Sequence, residues 1–256
     1  ANCAAFNADF DGDEINLHLP QGLAGAAEAR ELVRADRNYI VPTSGGPVRG
    51  LIQDHIVGGT LLAGRGCLLD RAGAAQLLTA ACAPRSATNR PDGDDPRAAD
   101  RLALPPPALL KPGPPRWTGK QVISAVLAFV TGGADPGAPP LTLTAACKVG
   151  DAVWGDAGGC GDGSLRVVAG DLLTGTLDKA AYGRASLVHA VYELYGPAAA
   201  DDLLGCLARL ATAFLAERGF SVGLADLALT PAAEAGRADA LSGAEAAAST
   251  ASATFA

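Results

Sequence analysis

Three carboxylates stand at alternate positions near the start of the sequence, Asp9, Asp11 and Asp13, separated by Phe10 and Gly12. In extended or looped backbone this spacing sends all three side chains toward one side, whereas in a helix they diverge. Gly12 removes a side chain where the backbone has to curl tightly, and Phe10 is expected to anchor the loop in a core beneath it. Three hard oxygen donors converging in this way suit magnesium, which keeps octahedral geometry and leaves positions for water or phosphate oxygens. The plainer reading of such a triplet is a solvated acidic turn. A calcium EF-hand is excluded, because its sixth and twelfth loop positions, which call for glycine and glutamate, hold Glu14 and Pro20.

Other reactive side chains carry weaker signals. Cys3, Cys67, Cys82, Cys147, Cys160 and Cys206 include no Cys-x-x-Cys pair and no histidine at zinc-ligand spacing, so they read as isolated reduced thiols of an intracellular protein. Asp54 and His55 read as a capped helix start or a satisfied polar pair, and His189, set in an apolar helix, as a buried, hydrogen-bonded histidine. Lys111, Arg116 and Lys120 are either ordinary surface charge or basic groups able to steer triphosphates.

The elements that must position these groups follow from composition and periodicity. With 256 residues, 49% of them hydrophobic, the chain can form one large core or two modest ones. A formal charge of -7 gives no overall basic field, so contact with nucleic acid has to be local or shared with other subunits. No charged start precedes an apolar stretch and no run of about 18 apolar residues occurs, so neither secretion nor membrane spanning is expected. The sequence lacks methionine and opens abruptly at Ala1, which suggests a piece of a longer protein.

Helices are expected from Leu23 to Ala35, with Ala27, Leu32 and Val33 on one side, after Asp70, and from a Thr118 cap through Phe129. Ser186 to Tyr195 and Ala198 to Arg218 read as a helical hairpin broken at Gly196-Pro197. Strands are expected over 141–143, 165–169 and 172–177. The polar stretch from Arg85 to Arg101 reads as a mobile insertion, the prolines from Leu104 to Pro112 as extended backbone, and the Ala-rich end from Ala232 as frayed or disordered.

Asn7-Ala8-Asp9-Phe10-Asp11-Gly12-Asp13 resembles, without substitution, the signature of multisubunit RNA polymerase largest subunits. Glu14 to Gln21 is similar to the continuation in the eukaryotic and archaeal branches, with Ile15 where the family commonly has methionine. The segments Gly50 to Ile56, Ala108 to Gln121, Gly175 to Lys179, Leu187 to Gly196 and Arg218 to Asp226 follow the family in order, with Gly113 replacing a frequent lysine. Asp54-His55-Ile56 and the Val188-His189 to Gly196 run are closer to the polymerase I form than to polymerase II.

The resemblance, which covers roughly residues 1 to 230, implies an α+β fold. It places the end of a double-psi β-barrel active-site domain at 1–41, a pore domain at 42–200 and the start of a funnel domain at 201–256. It implies DNA-directed RNA synthesis, with Asp9, Asp11 and Asp13 holding the catalytic magnesium and Asn7 near the ribose of the incoming nucleotide or the RNA 3′ end. The implied partners are the other polymerase subunits, especially the second-largest, with DNA template, RNA transcript and nucleoside triphosphates; the implied location is the nucleus and nucleolus. A noncatalytic metal-binding or assembly module that retains the loop is the alternative, although a scaffold has no chemical need for the intact Asn and Asp set. Since a barrel lacking strands leaves open edges, the isolated chain is not expected to fold completely.

Overall fold

The computed structural model describes residues 3–82, 102–111, 113–132, 137–154 and 161–255, so the expected insertion near 85–101 lies outside the described residues. The architecture is mixed helix and strand. Three helices, α3 (Asp54–Ala63), α4 (Arg71–Cys82) and α5 (Gly119–Thr131), pack on the long α6 (Leu187–Arg218).

Two of these helices, α4 and α5, start where local chemistry starts them. Asp70 Oδ1 accepts a hydrogen bond from Gly73 N at 2.7 Å, satisfying one orphan amide of α4. Thr118 caps α5 through a reciprocal box: Gln121 N donates to Thr118 Oγ1 at 3.2 Å, and Thr118 N donates to Gln121 Oε1 at 3.0 Å. The expected apolar stripe of α5, Val122, Ile123, Val126 and Leu127, is fully buried. Gly196, with φ 86° and ψ 175°, breaks α6 where the sequence places its Gly-Pro signal, and Leu203, Leu204, Leu207, Leu210 and Phe214 of the second segment enter the core.

Two glycines set the helix spacing. A Cβ on Gly119 would lie 1.9 Å from the Leu62 carbonyl oxygen, and one on Gly58 would lie 2.9 Å from that of Ala211. Both positions therefore exclude a side chain, letting α3 approach α5 and α6 backbone to backbone.

Among the described residues, two small antiparallel sheets join these helices. The short strands β1 (Leu68–Leu69) and β2 (Trp117–Thr118) tie the entry of α4 to the cap of α5. The strands β3 (Leu143–Ala146), β4 (Ser164–Val168) and β5 (Asp171–Thr174) form a meander in that order, with a register shift between Arg166 and Val167. β4 alternates, burying Leu165 and Val167, and β5 packs on α5. Ser124 Oγ accepts from Leu172 N at 2.9 Å and donates to Lys120 O at 2.9 Å, joining sheet to helix. The first and third strands are offset from their expected ranges, and Thr176 and Leu177 lie beyond β5 as buried loop residues. The described residues of the Pro-rich stretch before β2 carry no helix, and Pro105 O and Pro106 O accept from Trp117 Nε1 and Gln121 Nε2 at 2.6 and 2.8 Å.

The N-terminal part is built differently. Between α1 (Cys3–Phe6) and α2 (Leu23–Glu31) the backbone of residues 7–22 carries no helix or strand. α2 ends before Ala35, because Asn38 Nδ2 donates to the carbonyls of Leu32 and Arg34 at 2.6 and 3.0 Å and turns the chain. It buries no residue, and Leu32 and Val33, expected on an apolar side, are 66% and 68% exposed.

The compact unit ends at Arg218, and a second unit begins at Gly219. The sequence from Ala232 reads as a frayed or disordered end, yet this unit contains a continuous helix, α7 (Pro231–Phe255). Alanine has the highest helix propensity, Pro231 opens the helix at a position where its missing N–H costs nothing, and Thr230 Oγ1 accepts from Ala233 N at 3.3 Å. Low complexity here supplies helix formers, and only the absence of an apolar stripe resembles disorder.

Candidate metal centre

α1 ends on Asn7, whose φ of 49° is left-handed. Asn7 N donates to Ala4 O at 3.3 Å and Ala8 N to Cys3 O at 3.0 Å, the double closure of a helix C-terminus. Asparagine tolerates this conformation better than most residues, so its type has a local backbone reason as well as any role toward a ligand.

The chain then bends through Phe10, Asp11 and Gly12. Gly12 has φ +121°, a region that side chains rarely adopt, although a Cβ there would meet no atom within 4 Å. Conformation, not space, demands glycine. Asp9 N donates to Asp13 Oδ2 at 3.0 Å, drawing the two ends of the Asp-x-Asp-x-Asp run together. One carboxylate oxygen from each of Asp9, Asp11 and Asp13 lies within 4.8 Å of the other two. In octahedral magnesium coordination, ligand oxygens stand about 2.9 Å apart when adjacent and about 4.1 Å when opposite. The three carboxylates are hard donors at nearly that spacing, so the residues fit the ion after a modest closure. All three are exposed.

Phe10 departs from expectation. It is 89% exposed and anchors nothing in a core, because residues 7–22 run over the surface. It instead lines an open groove of about 310 Å³ with Cys3, Ile52, Gln53, Asp54 and His55. Gln53 is a residue the sequence reading passed over. Its φ of 50° and ψ of -121° make it the second residue of a type II′ turn closed by His55 N donating to Ile52 O at 3.2 Å. No turn signal of the usual kind, glycine or asparagine, announces it. Asp54 is the first residue of α3, but Gln53 stands at the N-cap and no side chain caps the helix, so the capped start expected there is absent; partial burial lowers the pKa of His55.

The three cations assigned to a possible channel differ in their surroundings. Leu109 and Arg116 exchange two backbone hydrogen bonds, at 3.2 and 2.9 Å, with exposed Lys111 in the loop between them. Lys120 is paired with Asp162, a buried carboxylate that the sequence reading did not single out. His189 is hydrogen-bonded as expected but only partly buried: Nδ1 accepts from Ala185 N at 3.0 Å, and Nε2 lies 3.6 Å from Glu193 Oε1.

A family model described as RNA polymerase Rpb1, domain 3, matches residues 38–227, and a second, RNA polymerase Rpb1, domain 2, matches residues 1–35. The chain belongs to the RNA polymerase Rpb1 family. Among Rpb1-family relatives, it is 42% identical to DNA-directed RNA polymerase I subunit rpa1 of Dictyostelium discoideum over 231 residues, covering 89% of this chain and 13% of that protein. It is 40% identical to DNA-directed RNA polymerase I subunit RPA190 of Saccharomyces cerevisiae, covering 90% and 13%. Human DNA-directed RNA polymerase III subunit RPC1 is 34% identical, covering 88% and 15%. The chain thus spans about an eighth of the length of the curated Rpb1-family relatives it matches first.

Proposed function

We propose that this chain carries the metal-binding loop of a DNA-directed RNA polymerase and that Asp9, Asp11 and Asp13 hold a catalytic magnesium. The convergence of three carboxylate oxygens within 4.8 Å, in a member of the Rpb1 family, carries this reading. When bound, the ion supplies positive charge that favours the attacking 3′-oxygen and the developing phosphoryl charge of nucleotide addition. The chain's own residues hold and orient. Asp9 N–H fixes Asp13, and Gly12 allows the bend that turns the carboxylates toward one another. Asn7, by resemblance to the family, is assigned to lie near the ribose of the incoming nucleotide or the RNA 3′ end.

Within the family, identities run from 32 to 42% to polymerase I subunits and stand at 34% to the polymerase III subunit, and the upper values support polymerase I, hence ribosomal RNA synthesis in the nucleolus. Residues 1–41 close a double-psi barrel, 42–200 form the pore domain and 201–256 begin the funnel. The activity requires the rest of the assembly, above all the second-largest subunit, with template DNA, transcript and nucleoside triphosphates. No helix among the described residues is long and apolar enough to cross a membrane.

The test is single-nucleotide extension of a preformed RNA:DNA scaffold by complete enzyme carrying Asp9→Ala, Asp11→Ala or Asp13→Ala at saturating magnesium. Each substitution is expected to reduce extension by about a thousandfold or more, the loss of several kcal/mol of charge stabilisation, while subunit assembly persists. Near-normal extension by any one of them removes that residue from the site.

A further inference from the structure

The residues lining the groove beside the aspartate loop are held unequally. The Gln53 turn is tied to α3: His55 N donates to Ile52 O at 3.2 Å, and Ile56 N and Val57 N donate to Gln53 O at 2.9 and 3.1 Å. Thr212 and Leu215 of α6 also line the groove, and the Thr212 hydroxyl already donates to Ala208 O at 2.9 Å. With Cys3, Ile52 and Leu215 adding sulfur and carbon surface, the lining offers an occupant mainly apolar contact. Phe10 is held by its own loop. Among the described residues, the hydrogen bonds of residues 8–13 stay within residues 3–13: Ala8 N donates to Cys3 O and Asp9 N to Asp13 Oδ2, both at 3.0 Å. The ring lines the groove yet remains 89% exposed.

We propose that Phe10 is a positioning residue for the metal site: its ring seats in the groove lined by Cys3, Ile52, Gln53, Thr212 and Leu215 as Asp9, Asp11 and Asp13 close on magnesium. The inference rests on the metal-binding reading of these aspartates. Phe10 stands between two of the carboxylates, and in extended backbone neighbouring side chains point to opposite faces. Turning Asp9 and Asp11 toward an ion therefore turns the ring away from it. The groove has room for that ring, with a volume of about 310 Å³. An apolar cavity of about 150 Å³ already holds a benzene molecule. Gly12, with φ +121° and no atom within 4 Å of a Cβ, leaves the loop space to pivot. Drawing three carboxylates together is opposed by their like charges, and removing the ring from water offsets part of that cost. Phe10 thus acts on the ion only through the aspartates beside it.

The experiment uses the complete polymerase that contains this chain, either stripped of divalent cations with EDTA or saturated with magnesium chloride, at matched ionic strength. N-ethylmaleimide labels Cys3 for timed intervals, and the tryptic peptide ending at Arg30 reports the rate by mass spectrometry. Magnesium is expected to slow Cys3 labelling about fivefold or more, because the seated ring covers the thiol. Phe10→Ala abolishes this difference and raises the magnesium concentration for half-maximal single-nucleotide extension about tenfold, and Phe10→Leu, a smaller apolar occupant, falls between the two. Cys3 labelling that is the same in both conditions, or protection that persists in Phe10→Ala, overturns the seating; the metal site still stands if Asp9→Ala, Asp11→Ala and Asp13→Ala lose extension. Normal extension by those three variants overturns the metal site and the seating with it.

Discussion

Lys120 Nζ lies 2.5 Å from Asp162 Oδ1, joining the first turn of α5 to a carboxylate that is only 3% exposed. Arg65 Nε takes the other oxygen at 2.8 Å, and Gly175 N donates to Oδ1 at 2.9 Å. This lysine, which the sequence offers as a channel cation, is a strut between helix and sheet. Its role is decided by a partner 42 residues away.

Removing Asp162 leaves two cations facing a buried site without compensation. Asp162→Ala is expected to cost about 3 kcal/mol in urea unfolding, and Lys120→Met clearly less, because Arg65 and Gly175 still donate. Equal losses in the two variants would contradict this hierarchy.

The same carboxylate gives a pH dependence. Burial raises the Asp162 pKa, but hydrogen bonds from Lys120, Arg65 and Gly175 outweigh it and hold the group below its ordinary value. A depressed folded pKa stabilises the fold fully above the unfolded carboxyl's value, near about 4, and that contribution is lost as pH falls through the folded value. The stability gap between wild type and Asp162→Asn should stay level from about pH 5 to 8 and narrow below about pH 4. A gap that persists to pH 2 would refute the assignment.

Glycine positions differ sharply in what they tolerate. Gly119→Ala, with its Cβ 1.9 Å from the Leu62 oxygen, forces α3 and α5 apart and is expected to lower stability by about 3 kcal/mol. Gly236→Ala in α7 meets no atom and should gain about 0.8 kcal/mol of helix propensity, seen as increased ellipticity at 222 nm.

In the aspartate loop the expected effects invert those of a core. Phe10→Ala should change unfolding free energy by less than about 0.5 kcal/mol, since the ring is 89% exposed, against the roughly 3 to 5 kcal/mol of a buried phenylalanine. Gly12→Ala strains a φ of +121° without touching a carboxylate. In complete enzyme it should raise the magnesium concentration for half-maximal extension about fivefold or more, the equivalent of about 1 kcal/mol of backbone strain.

Hydrogen exchange of the chain should separate its two kinds of backbone. Amides of residues 9–21, which carry no helix or strand, are expected to exchange within seconds, and the buried turns of α5 and α6 many orders of magnitude more slowly. Uniform protection over residues 1–40 would show that the N-terminal segment has a packed core of its own.

The sequence by itself determined what depends on neighbours in the chain. The Thr118 and Asp70 caps, the α5 stripe, the break at Gly196 and the alternating carboxylates all follow from spacing and local hydrogen bonding, which a linear pattern records. The uninterrupted aspartate signature also carried the family, and that reading holds. Tertiary structure decided everything that depends on a distant partner: Lys120 on Asp162, Arg209 on the Ala81 carbonyl, and the glycine contact of Gly119 with Leu62. It also decided where apolar residues go. Phe10, Leu32 and Val33 have core-like side chains, yet burial requires an opposing surface, and residues 7–38 of the described chain meet little of one. The patterns of Phe10 and Ile123 look equally apolar in one dimension, and only three-dimensional packing distinguishes an exposed ring from a buried side chain.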